Sequence, residues 1–180
     1  CGRPMTSYIF EGDRSFSLEH IRQEYPVYGT TDYRHPAIEI MQENGSNISE
    51  FKYVGYEILK GKPLLKGLPA TYTESEEEAE TLKIILKDNL TGAKLTLYTI
   101  FSKGSAIARS AHICNEGEKV LHLQTMMSLN LDLPDKDYVW MQLSGAWSRE
   151  RYVKNRILEQ GITAIDSMRG NSSHEHNPFM

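Results

Sequence analysis

The sequence has few cysteines, no strongly basic segment and no long apolar run. Its two cysteines among 180 residues, Cys1 and Cys114, give neither a disulfide framework nor the spacing of metal ligands. The formal net charge is −4 and no basic block occurs, so nucleic acid is not an expected partner. No apolar stretch approaches the ~20 residues of a membrane span. We therefore expect no nucleic-acid or membrane partner, and the cysteine usage favours a reducing compartment, the cytoplasm.

The motifs of phosphate binding, metal binding and nucleophilic catalysis are also missing. The chain contains no glycine-rich phosphate loop and no Gly-x-Ser-x-Gly nucleophile elbow. His174-Glu175-His176 offers two imidazoles, but it lacks the third ligand and the helical spacing of a zinc site. The numerous carboxylates form no pattern that singles out an acid–base pair. The sequence predicts no metal, no cofactor and no catalytic residue within these residues.

The beginning of the chain is irregular. It opens at Cys1 without the charged segment and apolar core typical of a signal peptide, and without Met, so we expect a fragment and leave an upstream signal open. Proline and glycine then interrupt residues 1–36 repeatedly. This long aromatic and polar segment is predicted to lie across the following sheet or against a partner.

From residue 37 onward the hydrophobic pattern has a period of two, which is typical of β-strands. The pair Asn44-Gly45 predicts a hairpin turn between a first strand and a return strand ending at about Lys60. Apolar residues on both sides of the segment 93–101 predict that both of its faces are covered. The pattern indicates an all-β fold, a large antiparallel sandwich. Further strands are predicted at 81–88, 93–101, 106–114, 120–133, 152–158 and 162–168.

Residues 143–151 are the segment with the clearest binding chemistry. They hold Trp147, one of two tryptophans, with a glycine and three charged side chains. An indole face stacks on the C–H bonds of a sugar, and charged groups make strong hydrogen bonds to hydroxyls. The alternative is that Trp147 is a core residue and that Arg149 and Glu150 form a structural pair. Composition and spacing alone favour that alternative.

Several motifs, in order along the chain, resemble the N-terminal domain of family 36 glycoside hydrolases, the raffinose-type α-galactosidases. The most specific are Gly-Ala-Trp-Ser-Arg-Glu-Arg at 145–151 and Ser-Met-Arg-Gly-Asn-Ser-Ser-His at 167–174. The resemblance covers essentially the whole chain. The other motifs are 23–26 with 31–37, 60–63 with 67–72, Arg109-Ser110, and 177–179.

The resemblance implies a fold and an activity. The family's domain is an antiparallel β-supersandwich that extends beyond residues 1–180 at both ends, so the chain is expected to be one truncated domain. Family enzymes remove terminal α-linked galactose with retention, using two aspartates of a following (β/α)₈ barrel as nucleophile and general acid/base. The chain alone is then expected to be inactive. The implied substrates are melibiose- and raffinose-type α-galactosides, the implied assembly is a homotetramer, and a transglycosidase relative stays an alternative.

The resemblance also changes the interpretation of Trp147. In tetrameric family members the N-terminal domain of one subunit reaches the barrel of another, and the matching tryptophan helps to form the sugar pocket. Asp13 and Arg14 lie in a segment that is expected to approach the same pocket. Arg149 with Glu150, and residues 172–174, keep a structural interpretation. Two alternatives stay open: a free-standing carbohydrate-binding module, and a structural or oligomerisation domain with Trp147 in its core.

Overall fold

The computed structural model describes residues 22–29, 33–67, 72–134, 137–170, 173, 175–177 and 180. Asp13, Arg14, Ser172 and His174 therefore lie outside the described residues. The chain divides into two compact units, Cys1–Leu133 and Pro134–Met180. The regular secondary structure of the described part is β-strand apart from one short 3₁₀ helix at Glu76–Glu78. Its strands are β1 (Ile38–Gln42), β2 (Phe51–Lys60), β3 (Ala79–Asp88), β4 (Ala93–Ser102), β5 (Ile107–Asn115), β6 (Leu121–Met126), β7 (Val139–Ala146) and β8 (Arg149–Ile157).

The first unit contains two antiparallel sheets that pack on each other. One sheet has the order β2-β3-β4-β5, and the other pairs β1 with β6. Leu95 and Leu97 of β4 meet Ile38 and Ile40 of β1 in one buried cluster. Thr96 and Ile100, which point to the opposite side of β4, are also buried at 5% exposure each. The predicted all-β antiparallel fold is confirmed. Side chains on both faces of β4 are buried as predicted, but Phe101 near its end is 46% exposed.

The predicted hairpin between β1 and β2 is wrong. The turn itself forms, because Gly45 N donates to Gln42 O at 2.9 Å with Gly45 at a φ of +80°. However, β1 pairs with β6, and β2 pairs with β3 in the other sheet. Residues 46–50 separate the turn from β2 without forming a strand. An Asn-Gly pair specifies a local reversal, whereas burial of the apolar faces decides which strands pair.

The strand predictions differ from the structure mainly in the second half of the chain. The segments 81–88, 93–101 and 106–114 correspond to β3, β4 and β5. Strand β6 ends at Met126 rather than at 133, and β7 was missed. The segment 162–168 forms no strand, and Ile162 is 89% exposed there. Its alternating pattern finds no neighbouring strand within the described residues to pair with.

The irregular N-terminal segment is part of the core of the first unit. Tyr25 and Val27 are each 2% exposed and belong to the buried cluster. The Pro26 carbonyl accepts hydrogen bonds from Ala37 N at 2.9 Å and Ile38 N at 3.3 Å. The prediction that this segment lies on the following sheet is therefore confirmed for its described residues.

A polar clamp fixes the same segment to residues 127–132. Asp132 accepts a hydrogen bond from Gln23 N at 2.8 Å and forms an ion pair with Arg34. Arg109 of β5 forms an ion pair with Glu24. Burial lowers the pKa of Arg109, and the guanidinium also donates to a backbone carbonyl, that of Asn130, at 2.9 Å. The two bonds of Asp132 join residues that are more than ninety positions apart in the sequence.

Tyr25→Phe is expected to change how stability depends on pH. Burial raises the pKa of Tyr25 from 10.0 to about 12, and its hydroxyl donates to Met127 O. The folded-state pKa lies above the unfolded one, so the contribution of the neutral hydroxyl is present below pH 10 and is lost as pH rises through 12. The loss reaches about 2 kcal/mol at the upper end of this range.

Urea unfolding of both proteins below and within this alkaline window measures the effect. At neutral pH Tyr25→Phe should be less stable by about 1 kcal/mol, since the hydrogen bond to Met127 O is removed. This difference should shrink and then reverse in the alkaline window. Parallel stability profiles for the two proteins would show that Tyr25 does not titrate as its burial requires.

Candidate functional site

Trp147 lies at the tip of the β7–β8 hairpin. The last residue pair before the tip is Ala146 with Arg149, so Trp147 and Ser148 alone connect the two strands. The indole is 82% exposed. Trp147 is thus not a core residue of this chain, and the structure contradicts this part of the alternative that composition had favoured. A large aromatic face held out on a two-residue turn is available for stacking on a ligand.

The backbone at the tip takes an unusual conformation. Ser148 has a φ of 63° and Arg151 a φ of 58°, both in the left-handed region that residues with a Cβ rarely adopt. Ser148 N donates a hydrogen bond of 2.8 Å to the carboxylate Oε1 of Glu150. The structure thus gives Glu150 a specific role within the turn. The predicted pairing of Arg149 with Glu150 stays a prediction.

A β-bulge precedes the tip and depends on Gly145. The register of the β7–β8 pair shifts between Ser144 and Ala146. A Cβ on Gly145 would lie 2.2 Å from Arg149 O and 2.8 Å from the Cα of Glu150, distances that no real side chain shows. Only glycine lets the two backbones approach so closely. This steric requirement explains why the motif has glycine at position 145.

Residues 175–177, which follow the 167–174 motif, pair with this bulge around an isolated β-bridge. His176 bridges Ser144 in antiparallel orientation, and Gly145 N donates to Glu175 O at 2.7 Å. Asn177 N donates to Leu143 O at 3.3 Å. The residues that directly follow the 167–174 motif therefore lie beside the 145–151 motif in the second unit. Sequence analysis had not predicted that they pair.

Side chains also stabilise the chain next to this bridge. Ser173 Oγ accepts a hydrogen bond from Glu175 N at 3.2 Å, so the structural role predicted for Ser173 is confirmed. The Glu175 carboxylate pairs at 2.6 Å with Arg169, a residue of the 167–174 motif. The residues that hold the hairpin base thus come from segments that have no periodic pattern in the sequence.

The described ranges hold neither a group of side chains suited to a metal ion nor a membrane-spanning helix. No group of three or more His, Cys, Asp or Glu side chains there is arranged to hold a metal ion. In the same ranges, no helix has the length and apolarity needed to cross a membrane. The chemistry that the described site offers is therefore aromatic stacking by Trp147, flanked by the exposed side chains of Arg149 and Arg151.

The chain matches the glycosyl hydrolase family 36 N-terminal domain over residues 3–180. It belongs to this family. The resemblance that the motifs indicated is therefore confirmed. The Trp147 hairpin lies within the matched family 36 N-terminal domain.

Characterised relatives of this family 36 chain are α-galactosidases. It is 50% identical over 169 residues to α-galactosidase AgaA of Geobacillus stearothermophilus, which covers 93% of this chain and 23% of that protein. It is 39% identical over 169 residues to α-galactosidase Mel36A of Lactobacillus acidophilus, again over 93% of this chain and 23% of that protein. The chain thus spans about a quarter of the length of these relatives.

Solved structures give the same result. The crystal structure of AgaA superimposes with a TM-score of 0.87 at 46% identity, over 98% of this chain and 25% of that chain. A variant of AgaA in complex with raffinose matches equally well, with a TM-score of 0.87 at 46% identity and the same coverage. An α-galactosidase from Lactobacillus brevis reaches a TM-score of 0.85 at 37% identity, over 98% of this chain and 24% of that chain.

Proposed function

We propose that the chain is the N-terminal part of an α-galactosidase that hydrolyses terminal α-galactosyl residues of galacto-oligosaccharides with retention. The match to the family 36 N-terminal domain carries this proposal. Complexes of AgaA variants with raffinose and with stachyose support α-galactosides as the substrate class. The nucleophile and the general acid/base belong to a barrel outside residues 1–180, so these residues alone are inactive.

Uncovered apolar surface supports a larger protein around these strands. Phe101 of β4 lies on the same face as the buried Leu97, yet it is 46% exposed. Ile107 is its partner on β5 and is 62% exposed. Tyr56 and Ile58 continue this face on β2 at 59% and 60% exposure. An exposed apolar patch contiguous with a core is typical of a surface that other polypeptide covers.

The activity is tested on the whole gene product. We expect release of galactose from raffinose and melibiose, and proton NMR should show the α-anomer first, as retention requires. Residues 1–180 expressed alone should release none. A gene product without galactosidase activity would contradict the proposal, and β-galactose as the first product would contradict retention.

Trp147 is proposed to contact the sugar in the pocket of another subunit of a cytoplasmic homotetramer. Its 82% exposure at a fixed hairpin tip supports this role, because an indole held in water stabilises nothing within the chain. One face of the same hairpin exposes Val139, Met141, Val153 and Ile157, each more than half accessible. This face supports an interface with the rest of the assembly.

Trp147→Ala in the whole protein is expected to raise KM for raffinose about tenfold, because a sugar–indole stack contributes on the order of 1–2 kcal/mol. The melting temperature should change by less than about 1 °C, since little of the side chain is buried. Steady-state kinetics and calorimetry measure the two effects. Tyr72→Ala is the matched control, because Tyr72 is also 82% exposed.

The outcomes separate the remaining alternatives. An unchanged KM in Trp147→Ala would show that Trp147 does not contact the sugar. A large loss of stability with unchanged kinetics would indicate an interface or oligomerisation role instead. Millimolar raffinose titrated against residues 1–180, followed by tryptophan fluorescence, should show no saturable binding; saturation would favour a carbohydrate-binding module.

A further inference from the structure

At Ser148 the hairpin tip combines a disfavoured backbone conformation with a specific side-chain contact. Ser148 has a φ of 63°, a region in which a serine is uncommon. Its N–H donates to Glu150 Oε1 at 2.8 Å. A carboxylate acceptor makes this a charge-assisted bond, which is stronger than a bond between neutral groups. The carboxylate therefore holds the residue next to Trp147 in a conformation that its own backbone preference does not favour.

Glu150 also differs from its charged neighbours in exposure. The side chains of Arg149 and Arg151 are exposed, whereas Glu150 is half-buried. Partial burial strengthens its bond to Ser148 N, because solvent competes less for the carboxylate. Glu150 therefore stabilises the turn from within, whereas the Trp147 side chain is exposed and available to a ligand.

The base of the hairpin is fixed independently of Glu150. Gly145 N bonds to Glu175 O at 2.7 Å, and Asn177 N bonds to Leu143 O at 3.3 Å. The paired strands continue to Val139 and Ile157 at the far end. Backbone hydrogen bonds hold the base of the hairpin. A side chain such as Glu150 can therefore influence only the conformation of the two tip residues, Trp147 and Ser148.

We propose that Glu150 is a positioning residue that pre-orients Trp147 for the sugar by holding Ser148 in its left-handed conformation. This inference rests on the proposed function, in which Trp147 contacts the substrate. Glu150 itself does not contact the sugar in this scheme. Ordering the turn before binding lowers the entropy cost of binding, so Glu150 acts on substrate affinity rather than on the chemical step.

The test compares variants of the whole enzyme with raffinose as substrate. Glu150→Ala removes the acceptor and should raise KM about threefold to tenfold, with kcat within about twofold, as loss of pre-organisation predicts. Glu150→Gln keeps an amide oxygen and should restore most of the affinity. Glu150→Asp keeps the charge but shortens the reach, so it should resemble Glu150→Ala. Glu159→Ala, an exposed carboxylate just after β8, is the matched control.

A double-mutant cycle with Trp147→Ala decides whether Glu150 acts through Trp147. In the Trp147→Ala background, Glu150→Ala should cause no further rise in KM, because both changes remove the same contact. Equal effects in both backgrounds would overturn the proposal. If Trp147→Ala raises KM while Glu150→Ala, Glu150→Asp and wild type are alike, the positioning role is wrong and the sugar contact survives. If Trp147→Ala leaves KM unchanged, the sugar contact fails, and the positioning role fails with it.

A second readout applies if Glu150→Ala folds poorly. The fluorine NMR relaxation decay of a fluorotryptophan incorporated at position 147 alone in the whole enzyme should show faster local motion in Glu150→Asp than in Glu150→Gln. Identical decays in these two variants would overturn the proposal, because the hydrogen bond to Ser148 N would then not restrain the turn.

Discussion

Asp132→Ala should release the N-terminal segment from the first unit, with a loss of about 3 kcal/mol in the local free energy of opening. Asp132 accepts from the backbone N–H of Gln23, a residue that is 4% exposed, and it pairs with Arg34. Alanine removes both bonds at once. Because the buried Gln23 amide loses this acceptor, the effect should exceed that of a surface ion pair.

Amide hydrogen exchange measures this local opening, and the amides of Ala37 and Ile38 report on it most directly. Ala37 N and Ile38 N both donate to Pro26 O, so their protection reports whether the segment stays in place. Asp132→Asn keeps an oxygen for Gln23 N and should lie between wild type and Asp132→Ala. Asp166→Ala, at an exposed position, should change protection by less than about 0.5 kcal/mol. Equal protection in Asp132→Ala and Asp166→Ala would show that the clamp contributes nothing.

The sequence predicted strands well where both neighbours of a strand were close in the chain. Strands β3, β4 and β5 follow one another as antiparallel neighbours, so alternation and turns sufficed to place them. Strand β1 instead pairs with β6, about eighty residues later, and no local pattern contains that pairing. For this reason the Asn44-Gly45 turn led to the wrong prediction that β1 pairs with β2. The strand predicted at 162–168 does not form for a different reason: the alternating pattern is present, but no described strand pairs with it.

The candidate site was predictable in its residues but not in its arrangement. The motif around Trp147 indicated a sugar contact through resemblance, whereas the exposure of the indole depends on its place at a hairpin tip. The strand β7 that carries the tip was missed. Pairing of 175–177 with the end of β7 joins two motifs through backbone bonds, which side-chain patterns do not encode. The role of Glu150 likewise depends on the φ of Ser148, a quantity that the sequence does not reveal.

Gly145→Ala should be the most damaging single-methyl change near the site. The new Cβ would lie 2.2 Å from Arg149 O and 2.8 Å from the Cα of Glu150, both backbone atoms that a side-chain rotation cannot move. The strands must separate, which disturbs the bulge and the bond from Gly145 N to Glu175 O. We expect a loss of about 3 kcal/mol in the opening free energy of the hairpin, at the upper end for overpacking.

Gly55→Ala provides a matched control, because Gly55 also adjoins a register shift in a strand but has no atom within 4 Å of its added Cβ. Protection of the Asn177 amide, which donates to Leu143 O, should fall in Gly145→Ala and stay unchanged in Gly55→Ala. Separated strands also displace the tip, so KM for raffinose should rise at least as much as in Trp147→Ala. Unchanged protection with a raised KM would place the effect at the tip alone, and unchanged values of both would show that the bulge tolerates a methyl group.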